Sequence, residues 1–176
     1  MVIAISQVAS AAVLRVKGGQ SCPGNGQSWG TAFCDLRTAL DAAVTGDEIW
    51  VATGTYLPTE KYCATNNDCD DTGGTCTSNQ CIWDQPREQS FPLRAGVAVY
   101  GGFSGCEDSR SRRHVRNFET ILSGDLSGDD GEPPTYVPGS VPYFENYADN
   151  SCHIVLARGS DEDTVLDGFT IRGGSA

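Results

Sequence analysis

The sequence predicts an all-β fold, a right-handed parallel β-helix (solenoid) that carries a short N-terminal capping helix and a cysteine-rich insert. Three observations lead there. Thr164 to Ala176 reads as one unit of such a stack: Leu166, Phe169 and Ile171 are its apolar positions, Asp167-Gly168 sits where a short strand bends, and Gly173-Gly174 closes it. The pattern returns upstream at Glu48–Ala52 before Thr53-Gly54, Val97–Tyr100 before Gly101-Gly102, Thr120–Leu122 before Ser123-Gly124, and His153–Leu156 before Arg158-Gly159. Each is a short β-branched run ended by glycine, a strand signal followed by a turn signal. Repetition at roughly 20–50 residues marks chains whose units bury their apolar faces only against neighbours. Composition agrees: 21 glycines in 176 residues exceed the usual share of about 7%.

In chain order, Val2 to Val8 is a short apolar run followed by Ala9-Ser10-Ala11, and residues 1–12 read as a leader remnant, although no Lys or Arg precedes the run. Val13–Lys17 alternates over a strand length and ends at Gly18-Gly19. Cys22 to Phe33 is a polar loop bracketed by Cys22 and Cys34, which pair across it. Leu36, Ala39, Leu40 and Ala43 then fall at i, i+3, i+4 and i+7, one face of a short helix ended by Gly46-Asp47. Such a helix is placed to cover the exposed end of a solenoid. Residues 13–176 form one domain, the cap and first coils, with a disulfide-stapled insert at 61–84.

In that insert Cys63, Cys69, Cys76 and Cys81 are separated by Asn, Asp, Thr and Gly. Such a stretch builds no core of its own and depends on its bridges. Four cysteines allow three connectivities; Cys63–Cys76 with Cys69–Cys81 is the reading preferred here. Ser90–Leu93 and Val97–Phe103 resume the strands, Asp108–Arg116 is a charged loop, and Asp125–Asn150 is a second polar excursion with Pro133, Pro134, Pro138 and Pro142. Cys106 and Cys152 remain, each beside a strand, and are expected to bridge neighbouring turns.

Net charge bounds the function. At -11 the average field repels nucleic acid and anionic membrane surfaces, and no segment reaches transmembrane length. Eight cysteines with two histidines and no Cys-x-x-Cys pair fit disulfides better than zinc or thiol chemistry, which points to a secreted or cell-surface location. Asp125, Ser127 and Asp129, followed by Asp130 and Gly131, place oxygen donors at alternate positions before a glycine and approximate the start of a calcium loop, with the register one residue off and no bidentate Glu at the required distance. The bland reading is a polar turn with Asx-type hydrogen bonds. Asp68, Asp70 and Asp71 are weaker Ca2+ candidates. Trp29, Trp83, Tyr62, Tyr136, Tyr143 and Tyr147 lie in or beside loops, where rings could stack on sugars, yet isolated surface aromatics need no function. His114 and His153 lack the Gly-x-Ser-x-Gly setting of a serine hydrolase.

Ser28–Phe33, the Asp35–Leu40 helix, Gly46–Tyr56, Val99–Phe103, Thr120–Asp125 and Val165–Ile171 occur in this order. Together they resemble the N-terminal region of large bacterial secreted proteins of the right-handed β-helix, pectin-lyase-like superfamily. The resemblance implies a cap and the first turns of a longer stack, followed by further coils of the parent chain, with an edge open to self-association through β pairing. It also implies polysaccharide or cell-surface components as partners. Lyases of that superfamily use an Arg or Lys base and calcium held by carboxylates on adjacent rungs; here the basic residues Arg110, Arg112, Arg113, His114 and Arg116 fall in a loop. The hydrolases' partner motifs are missing beside the Asp70-Asp71 and Asp129-Asp130 pairs. The sequence therefore reads as a non-catalytic structural or adhesin-like segment. Two alternatives stay open: part of a polysaccharide lyase or hydrolase acting elsewhere on its parent chain, and a carbohydrate- or calcium-binding module.

Overall fold

The computed structural model describes residues 11–130 and 146–175, excluding the side chains of 70–72. The leader-like run over residues 1–10, the four excursion prolines, Tyr136 and Tyr143 lie outside the described residues. In chain order the elements are β1 (Val13–Val16), α1 (Leu36–Ala42), β2 (Glu48–Ala52), β3 (Gly54–Tyr56), β4 (Gly74–Thr77), β5 (Gln80–Trp83), β6 (Phe91–Pro92), β7 (Ala98–Phe103), β8 (Thr120–Ser123), β9 (Val155–Leu156), β10 (Val165–Asp167) and β11 (Thr170–Arg172).

These elements correct the expectation of an all-β solenoid. The arrangement is small and α/β-like. Among the described residues the strands form four short sheets, in the orders β1-β2-β7-β10, β3-β8-β11, β6-β9 and β4-β5; the first three are parallel, the last is an antiparallel hairpin, and no continuous solenoid is seen among those residues. Helix α1 is correspondingly not a terminal cap. It packs against β1, β2 and β6, and Leu36, Ala39, Leu40 and the following Ala43 enter the same apolar core as the strands. A run of β-branched residues ended by glycine specifies a strand and a turn; it does not specify that successive turns close into one stack.

Parallel register sets the core. Leu14, Ile49, Val99 and Leu166 stand side by side across the first sheet, with Ile49 and Val99 fully buried and Leu14 and Leu166 packed at the margins. Tyr56, Leu122 and Ile171 form the matching row of the second sheet; the first two are buried, while Ile171 at the edge is 50% exposed. Alternation within each strand sends the intervening residues outward, so Arg15, Trp50, Tyr100 and Asp167 make an outer row.

Buried polar groups join the segments. Asp35 caps α1, accepting the Thr38 N–H at 2.7 Å, and also accepts the Tyr62 N–H at the start of the insert. Asp47, instead of merely ending the helix, accepts the N–H groups of Ala12 and Val44 and so sets where β1 begins. Arg37 points away from the apolar face of α1 and donates to Pro58 O, Gln89 Oε1 and Ser90 O. At 3% exposure, it fixes the approach of the chain on both sides of the insert.

Gly101 marks the closest backbone approach between β7 and the β10–β11 corner. A Cβ there would stand 2.5 Å from Gly168 O, so Gly101→Ala is expected to force these strands apart and lower stability by about 1–3 kcal/mol. The check is the urea midpoint; an unchanged midpoint would contradict the contact.

Candidate functional site

The acidic loop after β8 is the first candidate. Asp125 turns its carboxylate inward, where Oδ1 accepts the N–H groups of Gly128 and Asp129 at 2.7 and 3.1 Å and Oδ2 that of Asp130 at 3.4 Å. This is the Asx-type turn. Asp129 and Asp130 take part in it through their backbone N–H groups and not through their carboxylates. Loss of hydration first, and then the charges of Asp149, Asp125 and Asp130, hold the exposed Asp129 carboxyl above its ordinary value of 3.8. Asp130 accepts the Asn150 amide on both oxygens, at 3.2 and 2.9 Å, and Asn146 Nδ2 donates to Asp129 O. Asp125, Ser127 and Asp130 line a cleft of ≈ 560 Å³ together with Glu60, Tyr147 and Arg172. The sequence pointed to Asp125, Ser127, Asp129 and Asp130; Asn150, which donates to Asp130, stands at the far end of the same excursion and carried no motif. Asp68 serves a turn, its Oδ2 accepting the Ala64 and Thr65 N–H groups, and these bonds, Thr65 first, hold its carboxyl below the ordinary value.

The basic loop is brought back onto the outer row. Arg110 bonds Glu48 at 2.7 Å and the Tyr100 hydroxyl at 2.8 Å, with its guanidinium 4.6 Å from the Tyr100 ring centroid. Arg113 pairs with Asp167 and lies over the same ring. Glu48 also accepts Trp50 Nε1, Trp50 stacks on Phe103 at 4.9 Å, and Arg15 lies over both Trp50 and Trp29. The result is an alternating cation–aromatic surface in which Glu48 and Asp167 neutralise Arg110 and Arg113. A lyase base needs an available lone pair near its substrate; a guanidinium paired in this way supports a packing role. Arg112 pairs locally with Asp108, and His114, His153 and Arg116 are exposed. The loop aromatics divide likewise: Trp29 donates to Glu107 O and tilts on Phe103, and Trp83 is buried and donates to Thr59 O.

Three disulfides form: Cys22–Cys34, Cys63–Cys76 and Cys69–Cys81. The sulfurs of Cys63, Cys69 and Cys81 lie within 4.8 Å of one another, but each is half of a disulfide and none is the thiolate a soft metal requires. With Trp83 they form the insert's own small core. The expected Cys106–Cys152 bridge is corrected: both are free thiols. Cys106 sits in the turn whose N–H groups converge on Glu107, whereas Cys152 is held beside Arg87 and Glu88. Proximity of each to a strand in sequence did not place them on a common one.

A second cleft of ≈ 490 Å³ lies where the insert meets the Cys22–Cys34 loop and is lined by Asp35, Glu60, Tyr62, Asn79 and Gln80. Burial holds both acids above their ordinary values, Glu60 further through the charge of Asp35. Compared with protein-family models, with curated proteins and with solved structures, the chain matches none. Among the described residues no helix is long and apolar enough to cross a membrane.

Two outcomes are expected from this geometry. A carboxyl raised in the folded state keeps its proton to higher pH than in the unfolded chain, so its ionisation opposes folding above the raised value and ceases to matter below the ordinary 4.5 of Glu60. Glu60→Gln, which retains an acceptor for the Leu57 N–H, should therefore raise the urea midpoint at pH 7–8, the advantage shrinking as pH falls through the carboxyl range. An equal gain at all pH values would assign the effect to packing. Replacing Cys63 and Cys76 together by serine should cost about 2–4 kcal/mol of local stability. Hydrogen exchange should then quicken in 61–84 while β2 and β7 keep their protection; loss of protection throughout would show that the insert holds the main core.

Proposed function

We propose that this chain is a non-catalytic structural segment of a secreted or cell-surface protein, built to take further β strands on one side. The observation that carries this reading is the difference between the two edges of the parallel sheets. On the outer side of β1 the Cys22–Cys34 loop occupies the backbone: Arg15 N–H donates to Gly26 O, Phe33 N–H to Arg15 O and Lys17 N–H to Phe33 O, at 2.8–2.9 Å. On the other side, β10 and β11 are the last strands of their sheets, and no described residue pairs with their outer edges. An unpaired edge is a template for strand addition. Here it presents Ile171, half exposed, between Thr170 and Arg172.

The natural occupants are further strands of the same polypeptide or of a second copy, with polysaccharide or cell-surface components as the surroundings. Three disulfides fit an oxidising compartment, and the motif resemblance to secreted bacterial proteins supports the same location. Pairing of Arg110 and Arg113 with carboxylates favours the structural role over uronate chemistry.

The test uses the oxidised chain and a synthetic peptide of residues 164–175. Amides of β10 and β11 should exchange faster than those of β2 and β7 in the chain alone and slow when the peptide is added, and Ile171→Pro should abolish the slowing. No slowing at millimolar peptide would overturn strand addition. Unsaturated uronates or new reducing ends from a polysaccharide panel, lost in Arg113→Ala, would overturn the non-catalytic reading.

A further inference from the structure

Where the insert faces the Cys22–Cys34 loop, it presents an aromatic ring beside an amide. Tyr62 and Gln80 stand directly opposite each other in an antiparallel bridge, flanked by the Cys63 N–H donating to Asn79 O and the Cys81 N–H to Lys61 O. A pair that lies between such bonds, and is not joined by them, has its Cα atoms about 4.5 Å apart and its side chains on one face. The Tyr62 ring therefore has the Gln80 amide as its neighbour. Both line the cleft of ≈ 490 Å³ between the insert and the loop, whose walls also carry Gln20, Ser78, Asn79 and Glu60. No described residue bonds the side chains of Gln20, Tyr62, Ser78 or Gln80.

The carriers of these groups are fixed. Cys63–Cys76 and Cys69–Cys81 hold the insert, and Cys22–Cys34 closes the facing loop. Asp35 Oδ2 accepts the Tyr62 N–H at 3.0 Å. The β4–β5 hairpin turns through Ser78 and Asn79, whose φ of 53° and 64° lie in the left-handed region, as a two-residue type I′ turn requires. Asn79 Nδ2 then donates to Cys63 O at 3.2 Å. Groups placed before a ligand arrives lose little freedom in binding it.

We infer that this cleft binds a neutral saccharide, with the Tyr62 ring as the platform for one sugar face and Gln80, Gln20, Ser78 and Glu60 as partners for its hydroxyls. A sugar ring has an apolar C–H face and a rim of hydroxyls that both donate and accept. Amides and hydroxyls answer such a rim because they also offer both. Among the loop aromatics, Trp29 and Trp83 are taken up by packing, whereas Tyr62 has no described ring or cation over it. The lining holds no Leu, Ile, Val, Met or Phe on which a peptide would anchor. Charge selects against acidic sugars: Asp35 and Glu60 both line the cleft, and Lys61 beside them pairs with Asp41 at 2.7 Å. The site goes beyond the structural role and stands apart from the open edge, since Gly19 and Gln20 follow β1, at the end of its sheet opposite β10.

The test is calorimetric titration of the oxidised full chain with cellotetraose, xylotetraose, mannotetraose and tetra-N-acetylchitotetraose, with tetragalacturonate as the charged comparison. At least one neutral oligosaccharide should bind saturably and tetragalacturonate more weakly, and the side-chain amide NMR signals of Gln20, Asn79 and Gln80 should move as the site fills. Gln80→Ala and Tyr62→Leu should each weaken binding about three- to tenfold. Gln80 is exposed, so its replacement should leave the urea midpoint where it was and separate lost contact from lost folding. Silence across the neutral panel at millimolar sugar, tighter binding of tetragalacturonate, unmoved amide signals, or binding indifferent to Gln80→Ala would each overturn the site.

Discussion

Parallel strand register is the constraint on which this structure depends. Because Leu14, Ile49, Val99 and Leu166 are held side by side, a single-residue slip in any one strand would expose its apolar residues and bury a member of the outer row. The same register fixes where each connection departs. The insert, the basic loop and the acidic excursion are polar stretches that fold little core of their own, and each is positioned by the strand it leaves. Asp35, Arg37 and Asp47 reinforce the arrangement by joining segments distant in sequence through charge-assisted hydrogen bonds.

Placement of the outer row explains why charge behaves differently in the two loops. Arg110 and Arg113 have Tyr100, Glu48 and Asp167 within reach because parallel pairing brings β2, β7 and β10 together. The basic loop is thereby neutralised and partly stacked. The acidic excursion starts from the end of β8 in the other sheet, where Asp125 accepts backbone N–H groups and Asp130 accepts the Asn150 amide. One loop pairs its charges with side chains of opposite sign and the other sets its carboxylates against backbone and amide N–H groups, although both look like solvated charge runs in the sequence.

Individual strands were legible because four or five β-branched residues ended by glycine leave little alternative, and α1 because Leu36, Ala39, Leu40 and Ala43 repeat at helical spacing. Architecture was not. A strand signal is local, whereas the choice between one continuous stack and several short sheets depends on which strands meet, and that is settled by long-range contacts. The same distinction separates the cysteines. Cys22 and Cys34 bracket one loop, so proximity in sequence implied proximity in space; Cys106 and Cys152 lie far apart in the chain and nothing local placed them. At the acidic loop, Asp125, Asp129 and Asp130 announced themselves through spacing, but Asn150 joins Asp130 through a buried amide, a contact that no spacing encodes.

All three bridges close short loops, joining cysteines 12 or 13 positions apart. None connects one sheet to another. Oxidation can therefore finish loop by loop as the chain emerges from its point of synthesis or export, before β1 has met β7 or β10. A polypeptide whose strands had paired in the wrong order could carry the same three bonds, so a mass spectrum showing full oxidation would certify the loops and leave the tertiary arrangement unexamined.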